Sequence, residues 1–123
     1  MKNDADVLAD GREYIESHGW WRGELSNPRG EVCGLGGIAY SQDWVDSAGN
    51  LDDQYLTDVQ RVALHLVAAL GAEVADIPYP SNSMPAAAKF AAWNDKVAPN
   101  KQAVLDLFAK AEKIARAGFD PDA

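Results

Sequence analysis

The residues that could do chemistry in this chain are few: one cysteine, Cys33, two histidines, His18 and His65, and the triplet Trp93-Asn94-Asp95. Cysteine, histidine and asparagine are the parts of a thiol hydrolase or transferase. The thiolate attacks, the imidazole takes its proton, and the amide orients the ring. Cys33 follows a short extended stretch and opens a helix, where the dipole would lower the thiol's pKa. His65 or His18 would serve as base and Asn94 as the orienting amide. Each also has a structural reading. A lone cysteine behaves as a small buried hydrophobe. His65 stands among Leu64, Leu66 and Val67, and His18 ends a helix, where a basic group is favourable anyway. The structural reading is preferred, and Cys33, His65 and Asn94 are kept as the candidates for a thiol site.

Trp93-Asn94-Asp95 reads in two ways. It is an aromatic platform with an amide and a carboxylate beside a pocket, or a core tryptophan followed by two turn-closing side chains. The second is preferred. No metal centre is expected, because two histidines and one cysteine lack paired ligand spacing. Gly34-Leu35-Gly36-Gly37 has no following lysine and no phosphate-loop spacing, so no cofactor is expected. A different kind of site is a contact face. Trp44 and Tyr55 flank an acidic loop holding Asp43, Asp46, Asp52 and Asp53, a combination suited to a protein partner if the rings are exposed.

These residues must be positioned by the elements around them. Residues 19–40 hold six of the ten glycines, two of the four tryptophans and the cysteine. Glycine permits turns and close backbone approach, and tryptophan is the largest anchor available to a core. A first helix is predicted over Asp4–His18, capped by Asn3, with Val7, Leu8, Gly11, Tyr14 and Ile15 on one stripe. A small β-hairpin follows, from Trp21–Leu25 and Glu31–Cys33 around the turn formers Ser26-Asn27-Pro28-Arg29-Gly30. Cys33–Ser41 reads as a short helix whose glycine face admits another backbone. Asp53–Leu70 is a helix on the period of Leu56, Val59, Val62, Ala63, Leu66, Val67 and Leu70. Its start can slip to Asp58, because Thr57-Asp58-Val59-Gln60 fits a capping box. Residues 72–83 form a surface loop. Ser83 caps a fourth helix that ends between Asp95 and Val97, and Asn100 caps a fifth over Lys101–Ala117. Phe119 folds back on the last turn after Gly118, and Asp120–Ala123 is a frayed tail.

The fold class is therefore mainly α: one compact domain over residues 1–123, ordered from about 4 to 119, with about five helices and a β-hairpin between the first two. Trp20, Gly23, Cys33, Gly36, Trp93, Asn94 and Asp95 are its structural residues. The chain has net charge −8, and residues 1–58 hold 12 acidic and 4 basic side chains while residues 59–123 hold 7 of each. That sign disfavours nucleic acid. No apolar run is long enough for a membrane span. The polar start Met1-Lys2-Asn3-Asp4 argues against a signal peptide, and one cysteine points to a reducing cytoplasm.

Three short motifs stand in order: Gly19-Trp20 with Gly23, then Gly30-Glu31-Val32-Cys33-Gly34-Leu35-Gly36-Gly37, then Trp93-Asn94-Asp95 before a capped helix. In this the chain resembles, over about residues 5–116, a family of small uncharacterised proteins of actinobacteria and their phages. Gly37 replaces the alanine usual there, and Lys96-Val97-Ala98-Pro99-Asn100 replaces a short Arg-Thr cap. The resemblance implies a fold and brings no activity. The expected function is a non-enzymatic protein-interaction module, in keeping with a phage accessory protein that binds a host protein through its acidic face. The alternatives are a small hydrolase or transferase using Cys33, and a DNA-mimic inhibitor.

Overall fold

In the computed structural model, residues 2–120 are described. Five α-helices occur among them: α1 (Asp4–His18), α2 (Gly34–Gln42), α3 (Leu56–Leu70), α4 (Ala86–Lys96) and α5 (Lys101–Arg116). Their starts follow local chemistry. The Asn3 carboxamide oxygen accepts the Asp6 amide at 2.8 Å, and that of Asn100 accepts Ala103 N at 2.9 Å. Each oxygen satisfies one of the donors a helix leaves open. A short 3-10 turn, Asp53–Tyr55, capped by Asp52, leads into α3, so the helix proper begins between the two starts its sequence allowed.

Helix α1 packs on α2 and α5, and α3 packs on α4 and α5. Their apolar stripes meet in one core containing Leu8, Ile15, Ile38, Leu66, Phe90, Trp93, Val104 and Phe108. Phe90 sits edge-on to Phe108 at 6.0 Å between ring centroids and beside Trp93 at 6.1 Å, spacings at which aromatic pairs attract. Fully burying one such side chain contributes about 1.5–3 kcal/mol.

The expected β-hairpin is absent. No strand occurs among the described residues, and the segment between α1 and α2 carries only isolated bridges, Trp20 to Val32 and Ser26 to Val32. The cause is competition for its backbone donors. Asn27 Oδ1 accepts both Arg29 N and Glu31 N at 3.0 Å, and Asp95 Oδ1 accepts Gly23 N at 3.0 Å. Amides held by side chains cannot form a ladder. The segment is instead a loop folded across α2 and α4.

Two further expectations change. Ser83 does not cap α4: its hydroxyl donates to Pro80 O at 2.7 Å inside a 3-10 turn, Ser81–Ser83. The first turn of α4 is served from another helix, by Gln60 of α3, whose Oε1 accepts Ala87 N at 2.9 Å. Residues 72–83 are not wholly a surface loop either, since Gly71–Asp76 makes a 3-10 turn and Ile77 is buried. At the other end, Phe119 N does reach Ile114 O, at 3.3 Å. Of the expected tail, residues 121–123 lie outside the described residues.

Candidate functional site

The glycine helix α2 explains the crowded middle of the sequence. A Cβ placed on Gly36 would lie 1.9 Å from the Leu25 carbonyl oxygen; on Gly34, 2.3 Å from Phe90; and on Gly37, 2.5 Å from Ile15 and 3.1 Å from Gly11 O. The loop backbone, α4 and α1 therefore occupy the space that side chains would need. Backbone and core, not a ligand, fill the glycine face.

Cys33 is the N-cap of α2. Its Sγ accepts Gly36 N at 3.3 Å, and the residue is 4% exposed. Burial pushes the thiol from its ordinary 9.0 up to about 11, outweighing the lowering by the Gly36 and Leu35 amides. The dipole argument thus has the right sign and loses to desolvation. At neutral pH this sulfur is a protonated cap and a poor nucleophile.

Asn94 is also buried, and the protein uses its amide on both sides. Its Oδ1 accepts Trp20 Nε1 at 2.7 Å and Gly34 N at 3.0 Å. Its Nδ2 donates to Asp95 Oδ1 at 2.9 Å and to Trp21 O at 3.4 Å. Asp95 in turn holds Gly23 N. Trp20, Gly23, Gly34, Asn94 and Asp95 form one clamp that fastens the loop and the start of α2 to α4, and Arg22 adds to it by lying 4.8 Å over the Trp20 ring. Trp93, 2% exposed, fills the core beneath.

His65 is not part of this centre. It is buried on α3, and its Nε2 lies 3.0 Å from Asp4 Oδ2. The Phe119 ring stands edge-on to it, with 5.8 Å between centroids. Cys33 and His65 line different clefts. The three residues of the candidate thiol site are therefore never assembled: Cys33 and Asn94 meet at the start of α2, and His65 belongs to an ion-paired cluster with Asp4, Arg61 and Asp58. His18 is exposed and stacks on Tyr14.

The contact-face candidates do come together. Trp44 and Tyr55 stack with 5.5 Å between centroids and planes 13° apart. Both rings are half-buried, with Trp44 resting on the core. Beside them a recess of about 240 Å³ is lined by Lys2, Val7, Gln42, Asp58 and Arg61. Two of the four carboxylates hold the loop's own backbone. Asp46 accepts Ala48 N and Asn50 N, and Asp52 accepts Gln54 N. Asp43 and Asp53 point outward, Asp43 at φ 60°. Among the described residues none of the four forms an ion pair, whereas Asp4, Asp6, Asp10, Asp58, Glu31 and Glu112 all do. Sequence reasoning missed the internal work of Asp46 and Asp52, which the loop spacing Asp46–Asn50 could have signalled as a side-chain turn.

No group of three or more metal-ligating side chains occurs among the described residues. No described helix is long and apolar enough to cross a membrane. A family model, described as a family of unknown function (DUF6197), matches residues 1–114, and the chain belongs to that family. No curated protein and no solved structure matches it.

Proposed function

We propose that this member of a family of unknown function is a non-enzymatic, cytoplasmic protein-interaction module that docks a basic partner protein through the face built on Trp44, Tyr55 and the acidic loop. A phage accessory role, with a host protein as the partner, extends this proposal on the resemblance of its glycine and Trp-Asn-Asp motifs to actinobacterial and actinophage proteins.

One observation carries it. The chain has no lysine or arginine between Arg29 and Arg61, while that stretch holds Glu31, Asp43, Asp46, Asp52, Asp53 and Asp58. Glu31 and Asp58 pair with Arg29 and Arg61, whereas Asp43, Asp46, Asp52 and Asp53 form no ion pair among the described residues. Unneutralised charge beside half-exposed aromatic rings and the exposed Leu56 favours a basic, partly apolar partner surface. Asp46 and Asp52 turn toward their own loop's amides, which gives no support to a phosphate-like row of free carboxylates. The protonated Cys33 gives none to a thiol enzyme.

Capture from a host lysate tests the proposal. The comparison is between the wild-type chain and Asp43→Asn/Asp53→Lys/Tyr55→Ala, which spares the loop-holding Asp46 and Asp52. We expect a partner retained at low salt by the wild type, released as salt rises, and lost with the variant. A partner held equally by both proteins would count against the acidic face.

A further inference from the structure

The first turn of α1, the middle of α3 and the end of α5 enclose a cleft of about 580 Å³. Asn3, Asp4, Arg61, His65, Arg116 and Phe119 line it, and Asp120 lies at its edge. His65 is 2% exposed. Its Nδ1 is a buried atom with no hydrogen-bond partner among the described residues. Asp4 accepts Arg61 Nε on both oxygens, at 3.0 and 3.2 Å, so it is the acceptor toward His65 as well. The proton of the 3.0 Å contact therefore sits on His65 Nε2. In the neutral ring Nδ1 is then a lone pair in need of a donor, and a buried acceptor left without one is costly.

The lining decides what kind of donor fits. Arg61 and Arg116 balance Asp4 and Asp120 in charge. Arg61 is held by Asp4 and Asp58, and Arg116 by Asp6 and Glu112. A carboxylate ligand brings no donor for Nδ1, and either a carboxylate or a phosphate would set its negative charge against Asp4. An ammonium would face the two guanidinium groups. A hydroxyl is repelled by neither sign. It donates to Nδ1 or to a carboxylate, and it accepts from the guanidinium groups, each of which has five donors, more than its carboxylate partners use. Phe119 adds an apolar wall. It stands edge-on to the imidazole and is 42% exposed, just beyond Gly118. Nδ1 is buried, so a ligand reaching it needs a side chain to turn aside; Phe119 is the half-exposed ring packed on the imidazole, and its aromatic face is one against which the C–H face of a sugar ring can lie.

We propose that this cleft binds the ring of a neutral polyhydroxyl compound, either a free saccharide or the ribose of a nucleoside. Hydroxyls would engage His65 Nδ1, Asp4, Arg61 and Arg116, and the ring would stack on Phe119. The cleft shares Arg61 with the recess beside Trp44 and Tyr55, but the proposal does not rest on the docking proposed for that face.

Saturation-transfer NMR on the full chain tests this with glucose, galactose, maltose and adenosine as separate probes. The expected result is saturable transfer to at least one probe, accompanied by shifts of the His65 imidazole and Phe119 ring signals. Transfer to sugar protons of the saccharides assigns the free-saccharide source, and transfer confined to adenosine assigns the nucleoside. Phe119→Leu, at a half-exposed position, should weaken binding roughly tenfold, while Phe119→Trp retains it. His65→Gln should weaken it too. The control Tyr79→Ala, at an exposed site outside the cleft, should leave it unchanged. No saturable transfer to any of the four probes, or transfer unaltered by Phe119→Leu, would overturn the proposal.

Discussion

Gly36 has the narrowest tolerance of any residue discussed above. A methyl group there would meet the Leu25 carbonyl oxygen at 1.9 Å, and neither backbone can retreat without dragging α2 or the loop from the core. Gly36→Ala is expected to cost more than about 4 kcal/mol, in the exceptional range for one substitution, and to leave the chain largely unfolded by circular dichroism. Asn94→Ala should cost about 3–5 kcal/mol in urea unfolding, because Trp20 Nε1 and the buried Gly34 amide both lose their acceptor. The clustering of glycines and tryptophans in residues 19–40 made close packing legible in the sequence. What they pack on was not legible. Asn94 lies 74 residues from Trp20 and 60 from Gly34, and no local pattern connects residues that far apart. Cys33 misled for a related reason. Its place at a helix start is local and readable, whereas the burial that outweighs the helix dipole is tertiary.

At the scale of elements, legibility followed amphipathicity. Helices α1, α3 and α5 carry apolar stripes at helical spacing with side-chain caps or turns at their starts, and their bounds could be read closely. Helix α4 shows the limit. Ser83 looked like its cap, but the acceptor for Ala87 N is Gln60 on α3, 27 residues upstream. Gln60→Ala should cost about 1 kcal/mol, the usual worth of a lost cap, and hydrogen exchange should quicken at the Ala87 amide ahead of the rest of α4. The hairpin failed because turn formers such as Asn27 signal a reversal of the chain without saying whether the flanking amides pair with each other. Here Asn27 and Asp95 take them, and a two-stranded ribbon has little stability of its own with which to compete.

Across the whole molecule, charge and packing are divided. The inner face of α2 and its loop is filled by Leu25, Ile15 and Phe90, while Asp43 and Asp53 are exposed near the Trp44–Tyr55 pair. Asp43→Asn/Asp53→Lys should therefore change stability by less than about 0.5 kcal/mol in thermal melts, as expected of exposed positions. The raised thiol pKa also has a consequence for the pH profile. The folded state favours the protonated Cys33, so its contribution is fully present below the thiol's ordinary 9.0 and is lost as pH rises toward about 11. Cys33→Ser should flatten that part of the profile.

Cys33 is a buried cap at the start of α2, and the contact face proposed above lies elsewhere on the surface. The most direct test is the rate at which a small disulfide reagent modifies Cys33 at neutral pH, in the native chain and in denaturant. With Cys33 4% exposed and its sulfur accepting Gly36 N, the native rate should fall at least about a thousandfold below the unfolded rate, limited by opening of the fold. A native rate equal to or faster than that of the unfolded thiol would mean an open, activated sulfur, and would contradict the account.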